Sequence, residues 1–373
     1  MIFSNFTPPF HTQGRHIVDV TGNVVKLASV NWYGGSDVEF IPSGLETQHR
    51  DNISALIRDI GFNSVRLPYS DEMVNKNPII EPTFLSANID LVRARNGSAR
   101  ALDVFTAVVE SLTSAGILVI VNNHITQAGW CCGANPCDAT WANDWFGGKL
   151  ICRVSQTEEE WITNWETIMR PLAENDLVMG ADLRNEVRDV RGKLLWNSWA
   201  KAAEKASERL FKLNPNWLMF VEGVSSANDL SAVRSRPIHL SIPNRVVYSA
   251  HVYSWSGWGS LKPFAFREYP DFAATMRKNW AYILEEDIAP VWVGEFGTAD
   301  TPSKGDMNYW KHLVQYLGEV DASWGYWAIN PRKPGLYKWE GYGLVGDDWD
   351  RKSVRWDFRL EDMQLLGLRP RAR

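Results

Sequence analysis

The chain has 373 residues, of which 45% are hydrophobic and 22% are charged, and its formal net charge is −5. This balance is typical of a folded globular protein and excludes a disordered or low-complexity chain. The sequence has neither the basic run of a nucleic-acid groove nor an apolar stretch of the roughly 20 residues that span a membrane. We therefore expect no nucleic-acid partner and no membrane span, and we expect a monomer.

The predicted elements begin with a short N-terminal β-hairpin over 17–25, whose turn is Thr21-Gly22-Asn23. Eight apolar runs, each typical of a strand buried on both faces, follow at 25–32, 62–68, 117–124, 178–186, 218–223, 246–253, 291–297 and 326–330. Amphipathic helical patterns lie between or after them at 44–61, 101–116, 157–174, 194–211, 307–320 and 357–367. This alternation, with right-handed crossovers, predicts an α/β fold, a TIM (β/α)8 barrel formed by one domain over 1–373. The first strand is not followed by a Gly-rich phosphate fingerprint, which argues against a nucleotide-binding fold.

All four cysteines lie in one segment after the third predicted strand: Cys131, Cys132, Cys137 and Cys152. Their spacing lacks the C-x-x-C pairs of a zinc site, so we expect disulfides and no metal. Because adjacent cysteines rarely bond to each other, Cys131 and Cys132 are each expected to pair with one of the other two, and both such pairings remain open. Disulfides indicate an oxidising compartment, and sequons at 5–7, 52–54 and 96–98 agree with it. We therefore expect a secreted protein.

Two glutamates occupy matching places in the predicted barrel. Glu186 ends the apolar run 177–186, and Glu295 lies near the end of 289–297. The C-terminal ends of barrel strands open into the active-site mouth. One glutamate in such a place is more often a helix cap or an ion-pair partner. Two of them favour a glycoside hydrolase, because cleavage of a glycosidic bond uses a pair of carboxyl groups.

The chain has 19 tryptophans, and twelve of them fall into two groups. Those on predicted helix faces are expected to pack against the barrel: Trp161, Trp165, Trp199, Trp280 and Trp310. The others follow strand ends, where a flat ring can stack on the apolar face of a sugar: Trp32, Trp130, Trp141, Trp145, Trp255, Trp258 and Trp327. The second group predicts a carbohydrate-binding cleft at the barrel mouth, with Trp32, Trp130, Trp255, Trp258 and Trp327 in contact with substrate.

Polar residues at the strand ends form a pattern that resembles glycoside hydrolase family 5, a large family of retaining β-glycosidases that includes cellulases and mannanases. The matching residues lie in order on strands 2, 3, 4, 6, 7 and 8: Arg66, His124, Asn185, Glu186, His251, Tyr253, Glu295 and Trp327. The resemblance extends from GRHIVDVTGNVVKLASVNWYG (14–34) to the last strand. Val187 departs from the Asn-Glu-Pro motif that is usual in the family, which bears on the local turn more than on the chemistry.

The resemblance implies a retaining mechanism with Glu186 as acid/base and Glu295 as nucleophile. Arg66 and the Tyr253 hydroxyl would keep Glu295 ionised. Partial burial and the charge of Glu295 would raise the pKa of Glu186.

The same resemblance implies the substrate contacts. Asn185 would bind the 2-hydroxyl of the attacked sugar, and His124 would line the same subsite. His251 would orient the acid/base or Tyr253, and Trp327 would form the floor of the −1 subsite.

The segment WAINPRKPGLYKWEGYGLVGDDW (327–349) resembles the W-x-x-N-P and DDW stretch of bacterial cellulases. This favours an endo-β-1,4-glucanase that acts on a β-linked glucan or glucoside without a cofactor. The alternatives on the same barrel are an exo-acting β-glucosidase or diglycosidase, a β-mannanase, or a glycosylceramide hydrolase. A non-catalytic carbohydrate-binding barrel would keep the tryptophans but would not need both glutamates.

Overall fold

The computed structural model describes residues 6–132, 135–144, 148–188, 196–256 and 263–370. Its centre is a closed barrel of eight parallel strands: β3 (Ala28–Asn31), β4 (Ser64–Ser70), β5 (Leu118–Ile125), β6 (Val178–Asp182), β7 (Leu218–Glu222), β8 (Val246–Val252), β9 (Val291–Phe296) and β10 (Ser323–Tyr326). Each strand pairs with its sequence neighbours, and β10 closes the circle on β3, with Gly325 beside Ser29. The predicted TIM barrel is confirmed.

Helices surround the barrel and follow its strands. They are α1 (Arg50–Ile60), α2 (Asp71–Lys76), α3 (Ile89–Ala94), α4 (Ala101–Ser114), α5 (Gly148–Ile151), α6 (Glu158–Met169), α7 (Trp196–Phe211), α8 (Val224–Ala227), α9 (Tyr269–Met276), α10 (Tyr282–Glu285), α11 (Lys304–Val320) and α12 (Phe358–Leu365). The predicted helices match α1, α4, α6, α7, α11 and α12. Their starts follow local chemistry: Thr157 and Glu160 form a capping box at α6, and Ser303 and Asp306 form one at α11.

Two strand positions differ from the sequence-based expectation. The hairpin predicted over 17–25 is present in part, because Val18 and Val24 form an isolated antiparallel bridge and the Val25 N–H donates to the Ile17 carbonyl at 2.8 Å. The regular hairpin of the N-terminus lies just before it and pairs β1 (His11–Gln13) with β2 (His16–Val18), with its turn at residues 14–15. The Asp19 side chain explains the difference, because its Oδ1 accepts hydrogen bonds from the backbone N–H groups of Thr21 and Asn23, both at 2.9 Å. These bonds close a compact turn in place of a longer ladder. The last barrel strand ends at Tyr326, so most of the predicted run 326–330 follows it.

The N-terminal end of the barrel is filled by apolar side chains. They come from the first residues of the strands and from the hairpin that covers this end: Phe10, Ile17, Val25, Leu27, Leu118, Ile120, Met179, Leu218, Phe220, Val247 and Trp292. Phe220 and Trp292 pack edge to face with centroids 5.3 Å apart. We refer to this apolar cluster as the floor of the barrel. Because it fills this end, the opposite end is the one that can hold a site.

The helix-face tryptophans are buried, as the sequence predicted: Trp161, Trp165, Trp199, Trp280 and Trp310. Three of them donate hydrogen bonds from their indole N–H groups to residues at the ends of barrel strands. Trp161 donates to Asn123 Oδ1, Trp165 donates to the Leu183 carbonyl, and Trp199 donates to the Glu222 carbonyl. The outer layer of helices therefore helps to fix the strand ends that carry the site. Among the residues that the structure describes, no helix is both long and apolar enough to cross a membrane.

Candidate active site

The C-terminal end of the barrel opens into a cavity of about 410 Å³. Its lining includes most of the residues that the sequence predicted for the site: His124, Trp130, Asn185, Glu186, Tyr253, Trp255, Glu295 and Trp327. Arg66 and His251 lie beneath this lining and are completely buried. The strand register places them together, since His251 on β8 is the direct neighbour of Glu295 on β9.

Arg66 connects the buried carboxylates. Its Nε donates to Asp182 Oδ2 at 2.7 Å, its Nη1 donates to Glu295 Oε1, and its Nη2 donates to Asn185 Oδ1 at 2.7 Å and to Glu222 Oε1 at 3.0 Å. Burial alone would lower the pKa of Arg66, but the charges of Asp182, Glu295 and Glu222 raise it. The guanidinium is therefore a permanent cation with a fixed orientation at the centre of the site.

Glu295 has donors on both carboxylate oxygens. Arg66 binds Oε1, and the Tyr253 hydroxyl donates to Oε2 at 3.0 Å. Burial, together with the charge of Glu295, raises the pKa of Tyr253 well above its ordinary value, so this hydroxyl keeps its proton and remains a donor. Two donors of this kind stabilise a carboxylate in its charged form, which is the form that a nucleophile needs.

Glu186 lies four residues after β6, in a left-handed backbone conformation with φ of 46°. Its Oε1 is 3.1 Å from His251 Nδ1. Burial raises the pKa of Glu186 from 4.5 to about 7, against the opposing charges of Arg188 and Arg66. Burial also lowers the pKa of His251 to about 4, so that ring is neutral where Glu186 titrates. A carboxyl group of this kind is protonated below pH 7 and acts as an acid.

The two glutamates approach each other closely. Side-chain oxygens of Glu186 and Glu295 and a ring nitrogen of His251 lie within 4.8 Å of one another. Carboxyl groups separated by about 5 to 5.5 Å are typical of retaining glycosidases, whereas inverting enzymes leave about 6.5 to 9.5 Å for a water molecule. The oxygens of Glu186 and Glu295 and the ring nitrogen of His251 are also close enough together to hold a metal ion. However, Arg66 and Tyr253 already donate hydrogen bonds to both oxygens of Glu295.

An aromatic stack forms one wall of the cavity. Trp327 lies parallel to Tyr33, with centroids 4.7 Å apart, and parallel to His124 at 5.4 Å. His124 Nδ1 is 2.9 Å from Asn122 Oδ1, which accepts and therefore fixes the Nδ1–H tautomer. Burial, with Arg66 nearby, lowers the pKa of His124 well below its usual range, so the ring is neutral.

Two exposed tryptophans flank the cavity. Trp130 is 44% exposed, and Lys333 Nζ lies 3.9 Å from its ring centroid. Trp255 is 49% exposed and stacks on Tyr253, with centroids 4.5 Å apart and an interplanar angle of 8°. Both rings can therefore offer a face to a sugar. Trp145 and Trp258 lie outside the residues that the structure describes.

The expectation that Trp32 contacts substrate is wrong, and Trp141, which was grouped with the tryptophans that follow strand ends, does not line the cavity. Trp32 has no exposed surface, and its Nε1 donates to the Ser43 carbonyl at 2.9 Å. Side chains alternate along an extended segment, so Trp32 points away from the cavity and contacts Trp349, whereas the next residue, Tyr33, lines the cavity. Trp141 is buried against Trp199, with centroids 5.2 Å apart.

The cysteine arrangement also differs from the expected one. The structure places the sulfur of Cys137 beside that of Cys152, with the two Cα atoms 5.5 Å apart, and places the sulfurs of Cys131 and Cys132 beside each other. The expected cross-pairing is therefore wrong. The Asn185 amide explains the position of the adjacent pair, because its Nδ2 lies 3.4 Å from Cys131 Sγ and 3.2 Å from Cys132 Sγ. Both sulfurs line the cavity, away from Cys137 and Cys152.

Sequence reasoning missed Glu222 and Asp182, which bind Arg66, and Tyr33 and Glu340, which line the cavity. Glu222 ends the fifth strand as Glu295 nearly ends the seventh, so its position in the strand was a usable signal. Val187, in place of the family's usual proline, is buried in the core.

Comparison with known proteins agrees with this geometry. The family model described as Cellulase (glycosyl hydrolase family 5) matches residues 18–333. An endoglucanase of Paenibacillus polymyxa is 28% identical over 97% of this chain and 87% of its own length. The major extracellular endoglucanase of Xanthomonas campestris is 25% identical over 92% of this chain and 68% of its own length. An endocellulase structure from Pyrococcus horikoshii, solved with cellotetraose, has the same fold, with a TM-score of 0.78 and 24% identity over 96% of this chain and all of that one.

Proposed function

The chain belongs to glycosyl hydrolase family 5, and from that premise we propose that it is a retaining endo-β-1,4-glucanase in which Glu186 is the acid/base and Glu295 the nucleophile. The observation that carries the proposal is the approach of the two carboxyl groups to within 4.8 Å at the base of an aromatic-walled cavity. The names of the two endoglucanase relatives support the choice of substrate.

The first step of the reaction is the transfer of a glycosyl group to the protein. Glu186, as the carboxylic acid, donates its proton to the glycosidic oxygen while the Glu295 carboxylate attacks the anomeric carbon. The bond from that carbon to the leaving oxygen breaks, and an ester to Glu295 forms. The shorter glucan leaves with its new hydroxyl group.

The second step returns the enzyme to its initial state. Glu186, now a carboxylate, takes a proton from a water molecule, whose oxygen attacks the anomeric carbon and displaces Glu295. Two inversions leave the β configuration unchanged. Asn185 is held by Arg66 on one side of its amide, so its Nδ2 can be directed to the 2-hydroxyl of the same sugar.

Internal cleavage is the part of this proposal that needs the sharpest test. Trp130 and Trp255 flank the cavity with exposed rings, which allows glucosyl units to extend from the scissile bond. We expect a rapid fall in the viscosity of soluble cellulose and mainly cellobiose and cellotriose from longer oligosaccharides. Glu295→Gln is the matched inactive control. Glucose released steadily without early loss of viscosity would identify the exo-acting alternative, and preference for mannan would identify a β-mannanase.

We also infer that the protein is secreted and that its four cysteines form two disulfides. The placement of Cys137 beside Cys152, and of Cys131 beside Cys132, supports this state. Thiol titration of the protein as isolated, denatured without reductant, should find no free thiols. Four titratable thiols would contradict the inference.

A further inference from the structure

A third glutamate, Glu222, lies under the two proposed catalytic glutamates and takes no part in the two steps above. It ends β7 and is completely buried. Its Oε2 accepts a hydrogen bond from the backbone N–H of Glu186 at 2.6 Å, and its Oε1 accepts one from Arg66 Nη2 at 3.0 Å. Glu222 therefore contacts both the cation of the site and the turn that carries the acid/base.

Glu222 also faces the histidine that contacts Glu186. Its Oε1 lies 3.5 Å from His251 Nε2, which has no hydrogen-bond partner among the described residues. On the other side of the ring, His251 Nδ1 lies 3.1 Å from Glu186 Oε1 and 3.7 Å from Glu295 Oε2. The three side chains thus form a line from Glu222 through His251 to Glu186.

A neutral imidazole has one N–H group, and its location decides which form of Glu186 is preferred. If the hydrogen is on Nε2, then Nδ1 is an acceptor and can bind only a protonated Glu186. If the hydrogen is on Nδ1, it donates to Glu186 and stabilises the carboxylate. The tautomer of His251 therefore influences how strongly Glu186 holds its proton.

We propose that Glu222 is a positioning residue that holds the His251 hydrogen on Nε2 and so keeps the proton on Glu186 for donation. This proposal rests on the assignment of Glu186 as the acid. Both oxygens of Glu222 accept N–H donors, so the side chain presents an acceptor to Nε2. The bond to the Glu186 backbone N–H adds a second function, since it secures the left-handed turn.

Several charges act on Glu222 and Glu186. Burial and the charge of Asp182 raise the pKa of Glu222, while Arg66 and the Glu186 N–H oppose them, and Glu295 adds a further negative charge. Arg188 and Arg66 act on Glu186. The two N–H donors, from Arg66 and the Glu186 backbone, stabilise the carboxylate form of Glu222, in which both oxygens accept.

The variant Glu222→Gln tests the proposal because its amide NH2 can donate to Nε2 and drive the His251 hydrogen to Nδ1. Glu186 would then lose its proton at lower pH, and we expect the alkaline limb of kcat/KM for cellotetraose to move down by about one pH unit. At pH 7 the loss should be about fivefold for cellotetraose, rising to about tenfold above pH 8, and should be much smaller for an aryl cellobioside with a good leaving group.

Glu204→Gln is a matched control, because Glu204 pairs with Arg236 outside the site. It should leave both the pH profile and the ratio of the two substrates unchanged. Equal losses of Glu222→Gln on both substrates, or an alkaline limb that does not move, would overturn the proposal and leave Glu222 with a purely structural role.

A measurement on the wild-type protein covers the case in which Glu222→Gln does not fold. In a sample labelled with 15N-histidine, NMR distinguishes the two tautomers, and the His251 signals can be identified by their loss in His251→Asn. We expect the hydrogen on Nε2 at pH 6, and a hydrogen on Nδ1 would overturn the proposal. The result does not depend on substrate, so a failure to cleave cellotetraose would refute the proposed function separately.

Discussion

The two ends of the barrel are built from the same strands but are filled in opposite ways. In β7, Leu218 and Phe220 belong to the apolar floor, and Glu222 at the end of the strand lies in the charged mouth. Burial of apolar surface stabilises the floor by roughly 25 cal/mol per Å². Burial of the carboxylates around Arg66 costs free energy that their pairing only partly offsets. The apolar floor therefore stabilises the fold, and this stabilisation offsets the cost of keeping the charged groups of the mouth out of water.

The comparison predicts that mouth variants lose activity while they keep stability, and that floor variants do the reverse. The largest loss is expected for Glu295→Gln, because no glycosyl ester can form without the carboxylate nucleophile. We expect activity on any β-glucoside to fall by at least about four orders of magnitude. The melting temperature should not fall, since the amide can still accept from Arg66. A variant preparation free of wild type that retains a few per cent of activity would contradict the assignment.

Glu186→Ala should have the next largest effect. Loss of the acid should lower kcat/KM on cellotetraose by about 10² to 10⁴-fold. An aryl cellobioside with a good leaving group should still form the ester, and added azide should release it as a β-glycosyl azide. An α-configured product would show that the mechanism is not retaining.

Phe220→Ala tests the other end of the barrel. Phe220 is fully buried and packs on Trp292, so its truncation should lower the free energy of unfolding by about 3 to 5 kcal/mol. Below the new melting temperature kcat should be nearly unchanged. Calorimetry and steady-state kinetics on one preparation measure both, and a large loss of kcat with a small loss of stability would break the comparison.

The pH dependence of the wild type gives a smaller effect with a defined sign. Burial raises the pKa of Glu186 to about 7, and only the protonated form can donate. Therefore kcat/KM on cellotetraose should fall as pH rises through about 7, by about tenfold for each further unit. Glu186→Ala should lack this alkaline limb, which serves as the control. A wild-type profile that stays flat to pH 9 would contradict this prediction.

The smallest effect is expected at the exposed rim. Trp255→Ala removes one stacking face, which is worth about 0.5 to 1.5 kcal/mol, so KM for cellotetraose should rise by about 2- to 12-fold. Because Trp255 also stacks on Tyr253, kcat offers a check that the nucleophile remains in place. Trp339, another tryptophan with about half of its side chain exposed, does not line the cavity and is a matched control.

The order of elements could be predicted because each strand and helix has its own hydrophobic period, which is a local property. The eight residues of the family pattern could be predicted because the sequence resembles a known family, and barrel geometry brings them together because the strand ends meet at one mouth. The side that a residue faces was less certain. Trp32 and Tyr33 are adjacent, and an error of one residue exchanges the two faces of a strand.

Other features depend on contacts that the sequence does not contain. Glu222 was missed because a single glutamate at a strand end is ordinary until Arg66 and His251 are found beside it. The cysteine pairs were mispredicted because the general rarity of bonds between neighbours says nothing of where Asn185 holds Cys131 and Cys132. The roles of individual site residues stay predictions until the variants above are measured.

The left-handed conformation of Glu186 has an evolutionary consequence. For most residues other than glycine, this conformation costs on the order of 1 kcal/mol of conformational free energy, and the cost is smaller for asparagine. Replacement of Glu186 by glycine or asparagine would therefore relieve backbone strain and remove a buried acid at the same time. Selection for folding alone would favour that replacement. A duplicated gene that is no longer selected for hydrolytic activity is therefore expected to lose this glutamate early.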